Sequence, residues 1–248
     1  MTIFDHFFDA GYGGDILGRY AHILFGITWI GLLYFFNVVQ VPAYAQMEPG
    51  PRGEALRKVT FRALWWFRWA AFLTFLTGIW LLSINDLWDF KGPRGTGIGI
   101  GVLFATTMFL NVWGVIWRNQ KINIASSVAV AAGGEADPRA AKAANAAGRA
   151  SRINTFFSIP MLFFMVFSAH HNLVADQYDD SGGKLAAVFI IAVVIWAVME
   201  ASALGLIGGL DNAINKAILA DHRKTIAAGF VFLLILVFIG FEAIVGGV

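Results

Sequence analysis

The sequence predicts an all-α integral membrane bundle of about six transmembrane helices, with the N-terminus and the C-terminus both periplasmic. Three observations carry this. Of the 248 residues 58% are hydrophobic and only 14% are charged, whereas a soluble domain carries roughly 25% charged residues. The apolar residues fall in six runs, each near the ~20 residues that a helix needs to cross the hydrocarbon core. The basic residues also alternate between the connections. Arg19, Lys91, Arg94 and Lys184 fall in the N-terminal region and the second and fourth loops, and the remaining fourteen of the 18 Lys and Arg fall in the first, third and fifth loops and the helix ends beside them. The positive-inside rule places the richer set in the cytoplasm. Lipid offers no partner for backbone N–H and C=O groups, so the spans must be helical, and the runs are too long and continuous for barrel strands. The whole chain, 1–248, is expected to form a single transmembrane helical domain.

The predicted spans are Leu17–Gln40, Phe61–Ile84, Gly97–Trp117, Ile153–Val174, Leu185–Ile207 and Thr225–Val245. In the first, Arg19, Gly26, Trp29, Asn37 and Gln40 fall within about 60° of His22 at 100° per residue. The second carries Arg68 and the tryptophans 65, 66 and 69, which suit an aromatic belt. The third holds Asn111 and ends in Asn119, Gln120 and Lys121. The long cytoplasmic loop of about 119–152 follows. Its alanine-rich middle predicts partial helix, broken at Gly133-Gly134 and Pro138. The fourth span opens on Arg152 and Asn154 and closes near His170 and His171. Glu200 lies on the fifth, where it is expected to meet a neighbouring helix, and Glu242 on the sixth.

His22 and the His170/His171 pair lie at similar depth near the same face in this topology. A haem b between helices needs axial imidazoles projecting inward from facing spans. Non-covalent haem b is therefore the expected cofactor, with His22 as one metal ligand and His170 as the other. His171 is the alternative, because the two are about 100° apart around the helix. Gly26 leaves room for a flat macrocycle, Trp29 shares its face, and Arg19 stands one turn outward, where a propionate would lie. His222, beside Asp221 and Arg223, reads as solvated. Toward the cytoplasmic ends Asn37, Gln40, Arg68, Asn111, Arg152 and Asn154 form a candidate substrate or anion pocket, since amides with cations suit a planar anion or a quinone head. Polar residues inside a span are costly and often functional, though they also serve as helix–helix glue.

The sequence has no cysteine, which excludes disulfides, iron–sulfur ligation, thiolate catalysis and C-x-x-C-H attachment of c-type haem. A net charge of +2 gives no nucleic-acid footprint. The first residues are acidic and aromatic, and no signal peptide is evident.

The stretches RYAHILFGITWIGLLYFFNVVQVPA, WWFRWAAFLTFLTGIWLL, NVWGVIWRNQKI and SRINTFFSIPMLFFMVFSAHH resemble the membrane domain of bacterial membrane-bound urate hydroxylases, the urate oxidase N-terminal domain family. The likeness runs over roughly residues 17 to 175. The first segment also resembles copper-resistance D-type membrane proteins and the membrane protoporphyrinogen oxidase, in which a histidine at this kind of position is associated with haem. The resemblance carries over to Arg19, His22, Trp29 and Asn37, to Asn111, Trp113, Trp117, Asn119 and Gln120, and to Arg152, Asn154 and His170. It implies oxidation chemistry in or beside the membrane domain, with electrons passing to the cytochrome c domain that follows it in the family. This sequence reaches Val248 without a C-x-x-C-H, so the expected partner is a separate periplasmic c-type cytochrome. The expected function is a haem b-binding membrane redox protein, possessing urate hydroxylase-like activity or acting as an electron-transfer subunit, in the bacterial inner membrane. The alternative is a structural or assembly subunit of a larger respiratory or photosynthetic complex, without a cofactor of its own.

Overall fold

The computed structural model describes residues 13–170 and 182–246; His6 and His171 lie outside them. Among the described residues there is no strand. Six helices are long and apolar enough to cross a membrane: α1 (Gly13–Ala45), α2 (Pro49–Ile84), α3 (Gly92–Ala131), α4 (Ala140–His170), α5 (Gly182–Ala203) and α6 (His222–Val245). The protein is therefore a multi-pass membrane protein. α1 and α3 each loosen into a π-helical turn, over Phe35–Gln40 and Asn111–Ile116. Those turns carry Asn37, Gln40 and Asn111. Such bulges are frequent at functional sites.

Three helices stop in the same way. After α3, Gly133 takes φ 84° and the N–H of Gly134 donates to Ala129 O at 2.9 Å. After α5, Gly205 takes φ 76° and Leu206 N–H donates to Ala201 O at 2.8 Å. After α2, Asp86 takes φ 52° and Leu87 N–H donates to Leu82 O at 3.0 Å. In each case a left-handed residue turns the chain back, so that a donor beyond the end satisfies a carbonyl of the last turn. The alanine-rich stretch is thus helical on both sides of a short break at 132–139, and Asp137 caps the restart. Its carboxylate accepts from the side chain and the backbone N–H of Arg139, which hold it below the ordinary carboxylate range. The fifth helix ends four residues short of the predicted Ile207, because Gly205 leaves the helix.

The chain divides into two compact units, Met1–Asp89 and Phe90–Val248. In the first, α1 packs against α2. Trp29, Leu33 and Phe36 are buried on α1, as are Leu64, Phe67, Ala71 and Thr74 on α2. Both sets follow the three-and-four spacing of one helix face. Phe36 meets Phe67 edge to face, with centroids 5.3 Å apart.

In the second unit α4 is central and packs on α3 and α6. The core there is a cluster of four phenylalanines. Phe104 stacks on Phe157 at 5.2 Å, Phe156 stacks on Phe232 at 5.3 Å, and Phe104 meets Phe232 edge-on at 5.6 Å. Lipid gives no hydrophobic drive between helices, so close packing of small residues must hold them together. Gly229 of α6 supplies this. A Cβ there would lie 2.9 Å from the carbonyl oxygen of Phe156 and 2.7 Å from Ile159 Cδ1. Gly229→Val is expected to force α6 off α4 and to destabilise the protein by about 1–3 kcal/mol, read as a lowered thermal midpoint of the purified protein in detergent.

Candidate functional site

In the first unit, His22 lies one turn beyond Gly18, where a Cβ would meet the Trp80 ring at 2.8 Å. The helices therefore approach closely there. The His22 ring lies over Gly78, whose added Cβ would stand 3.3 Å from His22 Cε1. His22 Nδ1 is 3.1 Å from Thr77 Oγ1. The Thr77 hydroxyl also lies 2.8 Å from Leu73 O and 3.0 Å from Thr74 O of its own helix. Which atom donates between His22 and Thr77 depends on the ring's tautomer. In either tautomer the contact anchors the ring at Nδ1, and anchoring one ring nitrogen is what orients an imidazole for ligation through the other.

Around it, Arg19 donates to Asp15 Oδ2 at 2.7 Å and to Asn85 Oδ1 at 3.2 Å, and Asn85 donates to Asp15 Oδ1 at 2.8 Å. These three residues clamp α1 to the end of α2 one turn outward of His22. Gly26 leaves open space, with Thr74 Cγ2 nearest to an added Cβ at 3.9 Å. Trp29, on the same face, is 2% exposed, and its indole N–H has no hydrogen-bond partner among the described residues.

In the second unit His170 is exposed at the end of α4. Its Nδ1 is 3.0 Å from Val166 O. A carbonyl only accepts, so a neutral ring here carries its proton on Nδ1 and leaves Nε2 bare. Both histidines thus have Nδ1 held by a neighbouring oxygen. His222 begins α6 just after Asp221, whose side chain accepts from the N–H groups of Arg223 and Lys224. Among the described residues no three His, Asp or Glu side chains gather as a metal cluster.

The inner polar residues resolve into separate sets. In the first unit Thr60 donates to Gln40 Oε1 at 3.0 Å and lies 2.9 Å from the Tyr44 hydroxyl. Asn37 donates to Leu33 O of its own helix, and Arg68 is half-buried on α2. In the second unit Asn111 Nδ2 donates to Asn154 Oδ1 at 3.0 Å and to Glu200 Oε2 at 3.3 Å, while Asn154 Nδ2 donates to Met108 O at 3.0 Å. Glu200 thus meets a neighbouring helix, as its sequence position suggests. Arg152 donates to Leu219 O at 2.9 Å and Arg149 to Asn215 O at 3.0 Å. These two cations cap carbonyls of the segment between α5 and α6.

Sequence reasoning passed over Thr77, Thr60 and Tyr44. Hydroxyls at those positions fit ordinary helix faces, and their partners lie 55, 20 and 16 residues away.

The urate oxidase N-terminal family matches residues 86–205, which bears out the resemblance over that part. The match takes in α3, α4 and α5, with Asn111, Arg152, Asn154, His170 and Glu200, and begins beyond His22. No curated protein and no solved structure matches the chain.

The Asn111 amide serves two partners at once. Asn111→Leu is expected to strand Asn154 and the Glu200 carboxyl, costing about 1–2 kcal/mol. Glu200→Gln keeps an acceptor for Asn111 and should stay near wild type. Thermal midpoints of the three proteins in the same detergent test the difference.

Proposed function

We propose that this chain, with its urate oxidase N-terminal family segment, is a haem b-binding redox protein of the bacterial inner membrane that exchanges electrons with a separate periplasmic c-type cytochrome. The observation that carries the proposal is His22, half-buried against Gly78 with Nδ1 anchored on Thr77. His22 would hold the iron from α1. From the sequence alone, His170 is the proposed second imidazole, with His171 as the alternative. Haem b, when bound, supplies a one-electron carrier whose potential follows its axial ligands and their hydrogen bonds.

The rest of the proposal concerns the chain's own residues. Thr77 anchors the His22 ring and its orientation through Nδ1. Gly26 keeps the face beside it open. Arg19, steadied by Asp15 and Asn85, would face a carboxylate at the outer rim, and the Trp29 N–H stands ready as a donor on the same face. Both termini are proposed to be periplasmic and the α3–α4 extension cytoplasmic, on the fourteen-to-four division of basic residues. These 248 residues carry no cysteine and so offer no attachment point for c-type haem, and a periplasmic c-type cytochrome is proposed as the electron partner. The alternative remains a structural subunit of a larger respiratory or photosynthetic complex.

Two outcomes are expected. The purified protein should show a Soret band that His22→Ala abolishes or greatly reduces and His222→Ala leaves intact. Thr77→Val should lower haem retention by roughly 10–100-fold, as loss of a partner behind a ligating histidine does. A wild-type protein without a Soret band would favour the structural-subunit reading. In addition, dithionite-reduced protein freed of excess reductant should reduce a soluble ferric c-type cytochrome, followed by the cytochrome's absorbance. Failure of that transfer with haem present would remove the proposed partner and leave the cofactor assignment standing.

A further inference from the structure

Glu200 is a buried carboxyl that the redox reading leaves unused. It lies on α5, three residues before the helix ends, and is 9% exposed. Two rungs tie this stretch of α5 to α3. Trp196 Nε1 donates to Thr107 Oγ1 at 2.9 Å, and one turn further on Asn111 Nδ2 donates to Glu200 Oε2 at 3.3 Å. Asn111 opens the π-helical turn of α3.

The amides behind Glu200 fix the direction of the second rung. Met108 O is a carbonyl and only accepts, so the Asn154 atom 3.0 Å from it is Nδ2. The other end of that amide is then an acceptor, and the Asn111 atom 3.0 Å from it is a donor nitrogen. The same nitrogen meets Glu200, where Oε2 can only accept. A proton on this carboxyl therefore sits on Oε1, which has no hydrogen-bond partner among the described residues.

No cation compensates Glu200 among the described residues. α3 presents Thr107 and Asn111 to it, and neither is charged. The arginines at this end of α4, Arg149 and Arg152, donate to Asn215 O and Leu219 O. Lys216, in that same segment, is exposed. The half of α6 that packs on α5 carries Glu242. It follows Gly240, which faces Val188, and Val188 lies ~18 Å along α5 from Glu200. A buried carboxylate without a cation is costly in an apolar interior. A metal ion would not remedy this. No three His, Asp or Glu side chains gather among the described residues, and a hard cation takes six or more oxygens. A proton needs one.

We propose that Glu200 is a proton-binding site, at which the second unit takes up and releases one proton on Oε1. Asn111 is the positioning residue, because its N–H holds Oε2 and leaves Oε1 for the proton. The site stands independently of the haem reading.

The test is infrared spectroscopy of the full chain in bilayer nanodiscs at neutral pH, in H2O and in D2O. Wild type is expected to show the carbonyl stretch of a protonated carboxyl, lost in Glu200→Gln and kept in Glu242→Gln. Transfer to D2O should shift that band to lower wavenumber, because the proton exchanges with solvent. Asn111→Leu should move it to higher wavenumber, because the carbonyl loses its hydrogen bond. A wild type without the band, a band that survives in Glu200→Gln, or a band that ignores D2O would overturn the proposal. Carboxylate bands in wild type that move on adding sodium would mark a cation site and overturn it too. If Asn111→Leu fails to fold, Glu200→Gln and the D2O shift keep the test decisive.

Discussion

A polar group inside an apolar helix in lipid must find its partner within the protein, and the rest of the structure depends on that constraint. It acts first on the backbone. Six long helices satisfy their own N–H and C=O groups, and where they end the chain supplies further donors. Gly133, Gly205 and Asp86 turn left-handed so that the next residues reach back. Arg149 and Arg152 do the same work from the side, reaching from α4 to carbonyls at Asn215 and Leu219. A cation that sequence position alone would assign to a substrate or to headgroups here caps a neighbouring segment.

The same constraint sorts the side chains. Asn111, Asn154 and Glu200 form a linked set in the second unit, in which both amide nitrogens donate, to Asn154 Oδ1, Glu200 Oε2 and Met108 O. Gln40, Thr60 and Tyr44 form another in the first unit. Linked sets hold helices in register, and their donors are already engaged. Two groups are different. His22 has a ring nitrogen that Thr77 does not engage, and Trp29 has a buried N–H with no partner among the described residues. The haem reading rests on this spare hydrogen-bonding and ligating capacity.

Much of the fold was legible because hydropathy and length follow directly from the thickness of the bilayer. The six runs located all six helices, and the alanine-rich segment with its glycine pair located the break at 132–139. The boundaries were less legible. Leu204, Leu206 and Ile207 extend the apolar run of the fifth span, so hydropathy alone carries it to Ile207. The helix stops at Ala203 because Gly205 adopts a conformation that hydropathy does not encode. The histidines were visible as residue types, whereas the contact of His22 with Thr77 was not. That contact joins residues 55 apart, and periodicity reports only which residues share one helix face. Glu200 was expected to meet a neighbouring helix, but its partner Asn111, 89 residues away, was hidden for the same reason.

Glycine serves two opposed purposes in this chain, and the distance from an added Cβ to the nearest atom separates them. At Gly229 and Gly18 that distance falls below 3 Å, so the missing side chain is the condition for helix contact. At Gly26 the nearest atom stands at 3.9 Å, so a side chain would fit and its absence leaves room. The first kind explains how the bundle holds together without a hydrophobic drive. The second kind coincides with the unused polar capacity: Gly26 lies between His22 and Trp29 on one face. Room beside an unsatisfied donor or ligating nitrogen is what a bound molecule requires. Glu200 differs, because a proton needs no such room and the packed contact of α3 with α5 can hold it.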